Sequence, residues 1–89
     1  MPYRTRAPRW TAAQMDAYEQ ARALLNALIA AYSARISEAS PEAANALREQ
    51  RAPLLVERDA LTADDSDRID EILREIPTLL AAVRGGTDE

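Results

Sequence analysis

The stretch TAAQMDAYEQARALLNALIAAYSARIS, residues 11–37, decides the fold. It contains neither glycine nor proline, and alanine, the strongest helix former, recurs through it. Tyr18, Ala21, Leu25, Leu28, Ile29, Tyr32 and Ile36 recur at steps of three and four and so share one helical face. Leu24 and Ala31 widen that face, while Asp16, Glu19, Asn26, Ser33 and Ser37 lie opposite. An apolar stripe this wide predicts contact with two neighbouring elements rather than one. The helix expected over residues 12–37 is roughly 40 Å long at 1.5 Å per residue.

Just upstream, Trp10 precedes Thr11-Ala12-Ala13-Gln14-Met15. Thr11 suits an N-cap whose hydroxyl accepts the Gln14 amide, and Gln14 can reach back to the Thr11 amide to close a capping box. Trp10 and Met15 then fall at the two positions of a hydrophobic staple. The only tryptophan is therefore read as a structural latch.

Downstream, Ser40-Pro41-Glu42 opens a second helix over residues 41–61, with serine as cap and proline in the first turn. Leu47, Leu54 and Leu61 repeat every seven residues, and Arg51 and Arg58 lie on nearly the same face. Pro53 forfeits one backbone bond inside this segment, and the continuous leucine phase predicts a kink rather than a break. A third helix is expected over residues 63–84, capped by Thr62 with Asp64 and Asp65 in its first turn. Its apolar face is Ile69, Ile72, Leu73, Ile76, Leu80 and Val83, with Pro77 bending it. Asp64–Arg68 and Asp70–Arg74 are spaced as i,i+4 ion pairs. Arg84-Gly85-Gly86 reads as the helix end, with glycine supplying the left-handed residue. Short connections favour antiparallel neighbours. The expected fold is all-α: three antiparallel helices, as an up-down-up bundle or a long-helix hairpin plus a third helix, packed as a homodimer. Residues 1–10 form a basic arm, 11–86 one helical domain and 87–89 a frayed tail.

Composition limits what such a protein can do. Of 89 residues, 19 are alanine and only 17 are leucine, isoleucine or valine, with no phenylalanine. So small a core often needs a staple, and there is neither cysteine for a disulfide nor a Cys/His zinc set. Oligomerisation is the remaining remedy. The lack of histidine, cysteine and lysine removes imidazole bases, thiolate nucleophiles, soft metal sites and Schiff-base chemistry. No motif calls for a cofactor. The apolar run ALLNALIAAY is half the length that spans a bilayer and contains Asn26, so the expectation is a cytoplasmic protein without a membrane anchor.

Several features invite functional readings. Arg4, Arg6 and Arg9 lie among Tyr3 and Trp10 and suit contact with phosphates and bases or with an acidic protein surface. Residues 11–89, however, hold 8 arginines against 15 acids, a net of −7 beside the overall −4, which opposes nucleic acid. The acidic segment ERDALTADDSDRIDE lacks the glycine and the spacing of a calcium loop. Arg51 and Arg58 can lay their aliphatic stems on apolar surface and reach acids of the third helix, Asp67, Asp70 and Glu71 being the candidates. Tyr18 and Tyr32 read as core or interface rings with hydroxyls at the rim. The first helix carries more apolar positions than a neighbouring hairpin covers, so its remainder should dock a second copy or another protein. The functional expectation is a small non-enzymatic protein acting by protein–protein contact, with Tyr18, Leu24, Leu25, Leu28, Tyr32, Ile36, Arg51 and Arg58 as candidate interface residues. A nucleic-acid regulator using the arginine arm is the alternative. A carboxylate-based enzyme is the remote one.

Overall fold

Helix α1 spans Ala12–Glu38 in the computed structural model, which describes residues 10–85. The cap forms as its sequence dictates. The Gln14 amide donates to Thr11 Oγ1 at 3.0 Å, and the Thr11 amide donates to Gln14 Oε1 at 2.8 Å. Two of the orphan amides at the helix start are thereby satisfied. Thr11→Ala should lower stability by about 1 kcal/mol. An unchanged midpoint in thermal denaturation would mean that this cap does not carry the helix start.

Helix α2 spans Pro41–Ala60, with the Ser40 hydroxyl accepting the Ala43 amide. It runs without interruption through Pro53, and Leu61 is its C-cap rather than its last turn. Helix α3 spans Ser66–Gly85 and likewise continues through Pro77. Its start corrects the expected one. Thr62 does not cap it: the Thr62 amide donates to Asp65 Oδ2 at 3.1 Å, and the Thr62 hydroxyl turns to the same oxygen. These local side-chain bonds compete with helix geometry. Residues 62–65 close into a turn, and the first helical bond runs from the Ile69 amide to the Asp65 carbonyl. Only Asp67 is then left in the first turn. At the other end Gly85 is helical, whereas Gly86 and the tail 87–89 lie outside the described residues, as does the arm 1–9.

Side-chain bonds give the directions. Arg51 meets Ser33 and Arg58 meets Asn26, so α2 runs antiparallel to α1. Trp10 meets Asp64 and Arg35 meets the Val83 carbonyl, so α3 runs parallel to α1. The order is up-down-up. Both α2 and α3 pack on α1, but among the described residues their helix bodies do not pack on each other. α1 is therefore the central element of the fold.

The core is lopsided as a consequence. Ala21, Leu25, Leu28 and Ala31 of α1 meet Ile69, Ile72, Ile76 and Leu80 of α3, with Leu61 closing one end. Helix α2 buries only Ala44 fully. Leu47 and Leu54 are half-buried, and Leu54 packs against the edge of that core. In the α2–α3 connection, Leu61 and Ala63 are buried and tie the turn to the core.

Candidate functional site

Among the described residues α2 and α3 pack on α1 without close backbone contact between them, and the strip of α1 that lies between them is taken as the candidate cleft. Helical phase shows what lines it. On α1, Asn26 and Ser33 face α2 and Arg35 faces α3. Tyr18, Leu25, Tyr32 and Ile36 fall between those directions, within about 40° of one another at 3.6 residues per turn. Leu25 is 0% exposed, whereas Tyr18, Tyr32 and Ile36 are half-buried. On α3, Arg68 faces α2, and Leu79 follows it by about three helical turns, so both lie on the cleft side. Leu79 is 47% exposed.

One end of the cleft is fastened by charge. Arg68 of α3 donates from Nη2 to Glu57 Oε1 of α2 at 2.7 Å and from Nε to Glu57 Oε2, a paired fork of bonds. A third bond runs from Arg68 Nη1 to Glu71 Oε1 at 2.9 Å. The bonds from Arg68 hold the Glu57 carboxyl below its ordinary pKa, and the same partners raise that of Arg68. A depressed carboxyl pKa stabilises the fold above the unfolded pKa and stops doing so as pH falls through the folded one. Acidification below the usual glutamate range should therefore loosen the α2–α3 corner. Arg68 is 39% exposed, so the pair contributes at most about 1 kcal/mol. Glu57→Gln should remove that part of the pH dependence, as measured by denaturation midpoints across acidic pH. An identical acid slope in both proteins would dismiss it.

This pair corrects the sequence reading, which joined Arg68 to Asp64. Asp64 instead accepts the Trp10 indole N–H at 2.6 Å, so Trp10 is held to the α2–α3 turn across 54 residues. What brings Glu57 and Arg68 together is the turn between them, from which they lie at similar distances along α2 and α3. Opposite charges placed symmetrically about a helix–helix turn are the signal that would have found them.

The candidate interface residues divide three ways. Leu25 and Leu28 are fully enclosed within the single chain and serve its core. Tyr18, Leu24 and Tyr32 pack against that core and keep part of their surface, and Ile36 is likewise half-buried. Arg51 and Arg58 bond to α1, not to acids of α3: Arg51 Nη1 donates to Ser33 Oγ at 2.8 Å and Arg58 Nη1 to Asn26 Oδ1 at 3.3 Å. The leucine face that carries them is turned to α1. Arg51 Nε is buried without a hydrogen-bond partner.

The apolar surplus is also placed differently. Among the described residues the large hydrophobic side chains left exposed are Val56 of α2 and Leu79 of α3, and none is on α1. Flanking by two helices covers the α1 stripe more fully than one hairpin would. Arg4, Arg6 and Arg9 lie outside the described residues. Among the described residues no cluster of His, Cys, Asp or Glu is arranged to hold a metal ion, and no helix is long and apolar enough to cross a membrane. The chain is thus three-helix and all-α, and its candidate site is the half-buried strip of α1, with Tyr18, Tyr32 and Ile36, between α2 and α3. No protein-family model, curated protein or solved structure matches the chain.

Proposed function

We infer that the chain acts by protein–protein contact, with a second copy of itself seated over the α2–α3 cleft. The observation that carries this reading is the packing of α2 and α3 on α1 but not on each other. It leaves Tyr18, Tyr32 and Ile36 half-covered beneath a wall on which Leu79 is open to solvent. Rings with an apolar body and a polar edge suit such a contact, since one end can stay wet. A small core without disulfide or metal gains stability when a partner covers its remaining apolar surface. The reading is non-enzymatic: the cleft offers phenols and aliphatic side chains, and its charged groups, Glu57, Arg68 and Glu71, are engaged with one another.

Light scattering after size exclusion, at several concentrations, tests this. The mass should rise toward twice that of the chain, and Leu79→Glu should return it to the single-chain value with helicity unchanged by circular dichroism. A concentration-independent single-chain mass for the parent would overturn self-association.

A further inference from the structure

We propose that residues 1–9 dock on the acidic corner of their own chain, in the groove where α2 turns into α3. The inference does not depend on self-association.

Position is the first ground. The Trp10 indole N–H bonds to Asp64 in the turn, which places residue 10, the tether of the segment, at that corner. Charge is the second. Residues 57–71 hold seven acids and two arginines, a net of −5 (2 − 7), and residues 1–9 hold three arginines and no acid. Arg68 is taken up by Glu57 and Glu71, and Arg58 by Asp59 and Asn26. Both local cations are thus already engaged, and the acids outnumber them.

The third ground is shape. A groove of about 600 Å³ lies at the same corner, lined by Pro53, Val56, Ala60 and Leu61 together with Asp65 and the Glu57–Arg68 pair. Val56 is 69% exposed, the most solvent-open large apolar side chain among the described residues. The segment MPYRTRAPR alternates its arginines with Pro2, Tyr3, Ala7 and Pro8, which suit an apolar groove that carries Asp65 within a corner of net negative charge. Fully extended, nine residues reach about 30 Å, so the whole groove is within range of Trp10. Tethering at Trp10 sets an effective concentration in the millimolar range, so weak intrinsic affinity suffices. Docking would shelter Val56 and bring the arginines of the segment to the side of the groove that carries Asp65. Exposed charge pairs of this kind are screened by salt.

The chain has no cysteine, so Pro2→Cys in the full-length protein provides a single thiol for a nitroxide label. The expected result is strong paramagnetic loss of the Val56, Ala60, Leu61 and Asp65 amide signals at low salt. Those signals should recover at high salt and in a labelled variant carrying Arg4→Glu, Arg6→Glu and Arg9→Glu. A mixture of nitroxide-labelled chain with isotope-labelled, nitroxide-free chain separates the occupants, and here no loss is expected. Loss seen only in the mixture would place the segment on a second copy and overturn the proposal. Full signal at the groove amides in the labelled chain would overturn it too, as would loss that ignores both salt and arginine reversal. Recovery of the groove signals on adding a short DNA duplex to the labelled parent would support docking and show that nucleic acid competes for the same arginines.

Discussion

Leu25→Asp should leave the chain unfolded at room temperature. Leu25 is 0% exposed and sits where the α1 stripe meets the α3 isoleucines, and no residue in that core is polar or charged. A carboxylate placed there has no donor to meet. Removing the leucine side chain alone costs about 2–5 kcal/mol through lost burial and the cavity left behind. Desolvating a charge adds several kcal/mol more, and protonating the carboxyl to avoid that still leaves a buried polar group without a partner. A small domain has only about 5–15 kcal/mol of total stability, and one with so few large apolar residues belongs at the lower end. The far-UV circular dichroism minima of helix should collapse. A cooperative melt within a few degrees of the parent would show that the stripe faces elsewhere.

The second large effect separates the two flanking helices. Ile72→Ala should lower stability by about 2–5 kcal/mol, because Ile72 is 0% exposed at the centre of the α1–α3 contact. In thermal denaturation that corresponds to a fall of roughly 10 °C or more, since about 1 kcal/mol shifts the midpoint of so small a domain by about 4–8 °C. Val56→Ala on α2 should stay within about 0.5 kcal/mol of the parent, as exposed substitutions usually do. The comparison is direct: both remove branched aliphatic carbon from a helix, one from the core and one from solvent. Equal losses would mean that α2 is a full partner in the core and that the cleft is closed.

The cleft also explains why α3, rather than α2, provides the strong face. Ile69, Ile72, Ile76 and Leu80 are large and regularly spaced, whereas α2 interrupts its leucines with Gln50, Arg51 and Arg58 on nearly the same side. Arg51 and Arg58 need polar contacts, and α1 supplies Ser33 and Asn26 at its polar margin. α2 is therefore drawn toward that margin and away from α3.

Much of the helical framework was legible in the residues. The Thr11 and Ser40 caps, the uninterrupted course of α1 and the α3 face depend on neighbours within one or two turns, and local chemistry states them directly. The start of α3 was misread because Thr62 and Asp65 form one side-chain turn, and an acidic turn resembles an acidic helix start. Of the cleft, Tyr18, Tyr32 and Ile36 could be placed on a face, but Leu79 and Val56 could not be marked as exposed, because exposure depends on where other helices lie.

The order of letters by itself determined that three helices form, where two of them are capped, and which stripe of the first turns inward. Backbone hydrogen bonding and side-chain periodicity act within a few residues, so they can be read along the chain. Tertiary structure alone decided that α2 and α3 flank α1 and touch each other through the Arg68–Glu57 pair, that Arg68 joins Glu57 rather than Asp64, and that Trp10 reaches the far turn. Each of those depends on the angle at which α1 receives its neighbours, set by side-chain shape and polar partners across segments far apart in the chain.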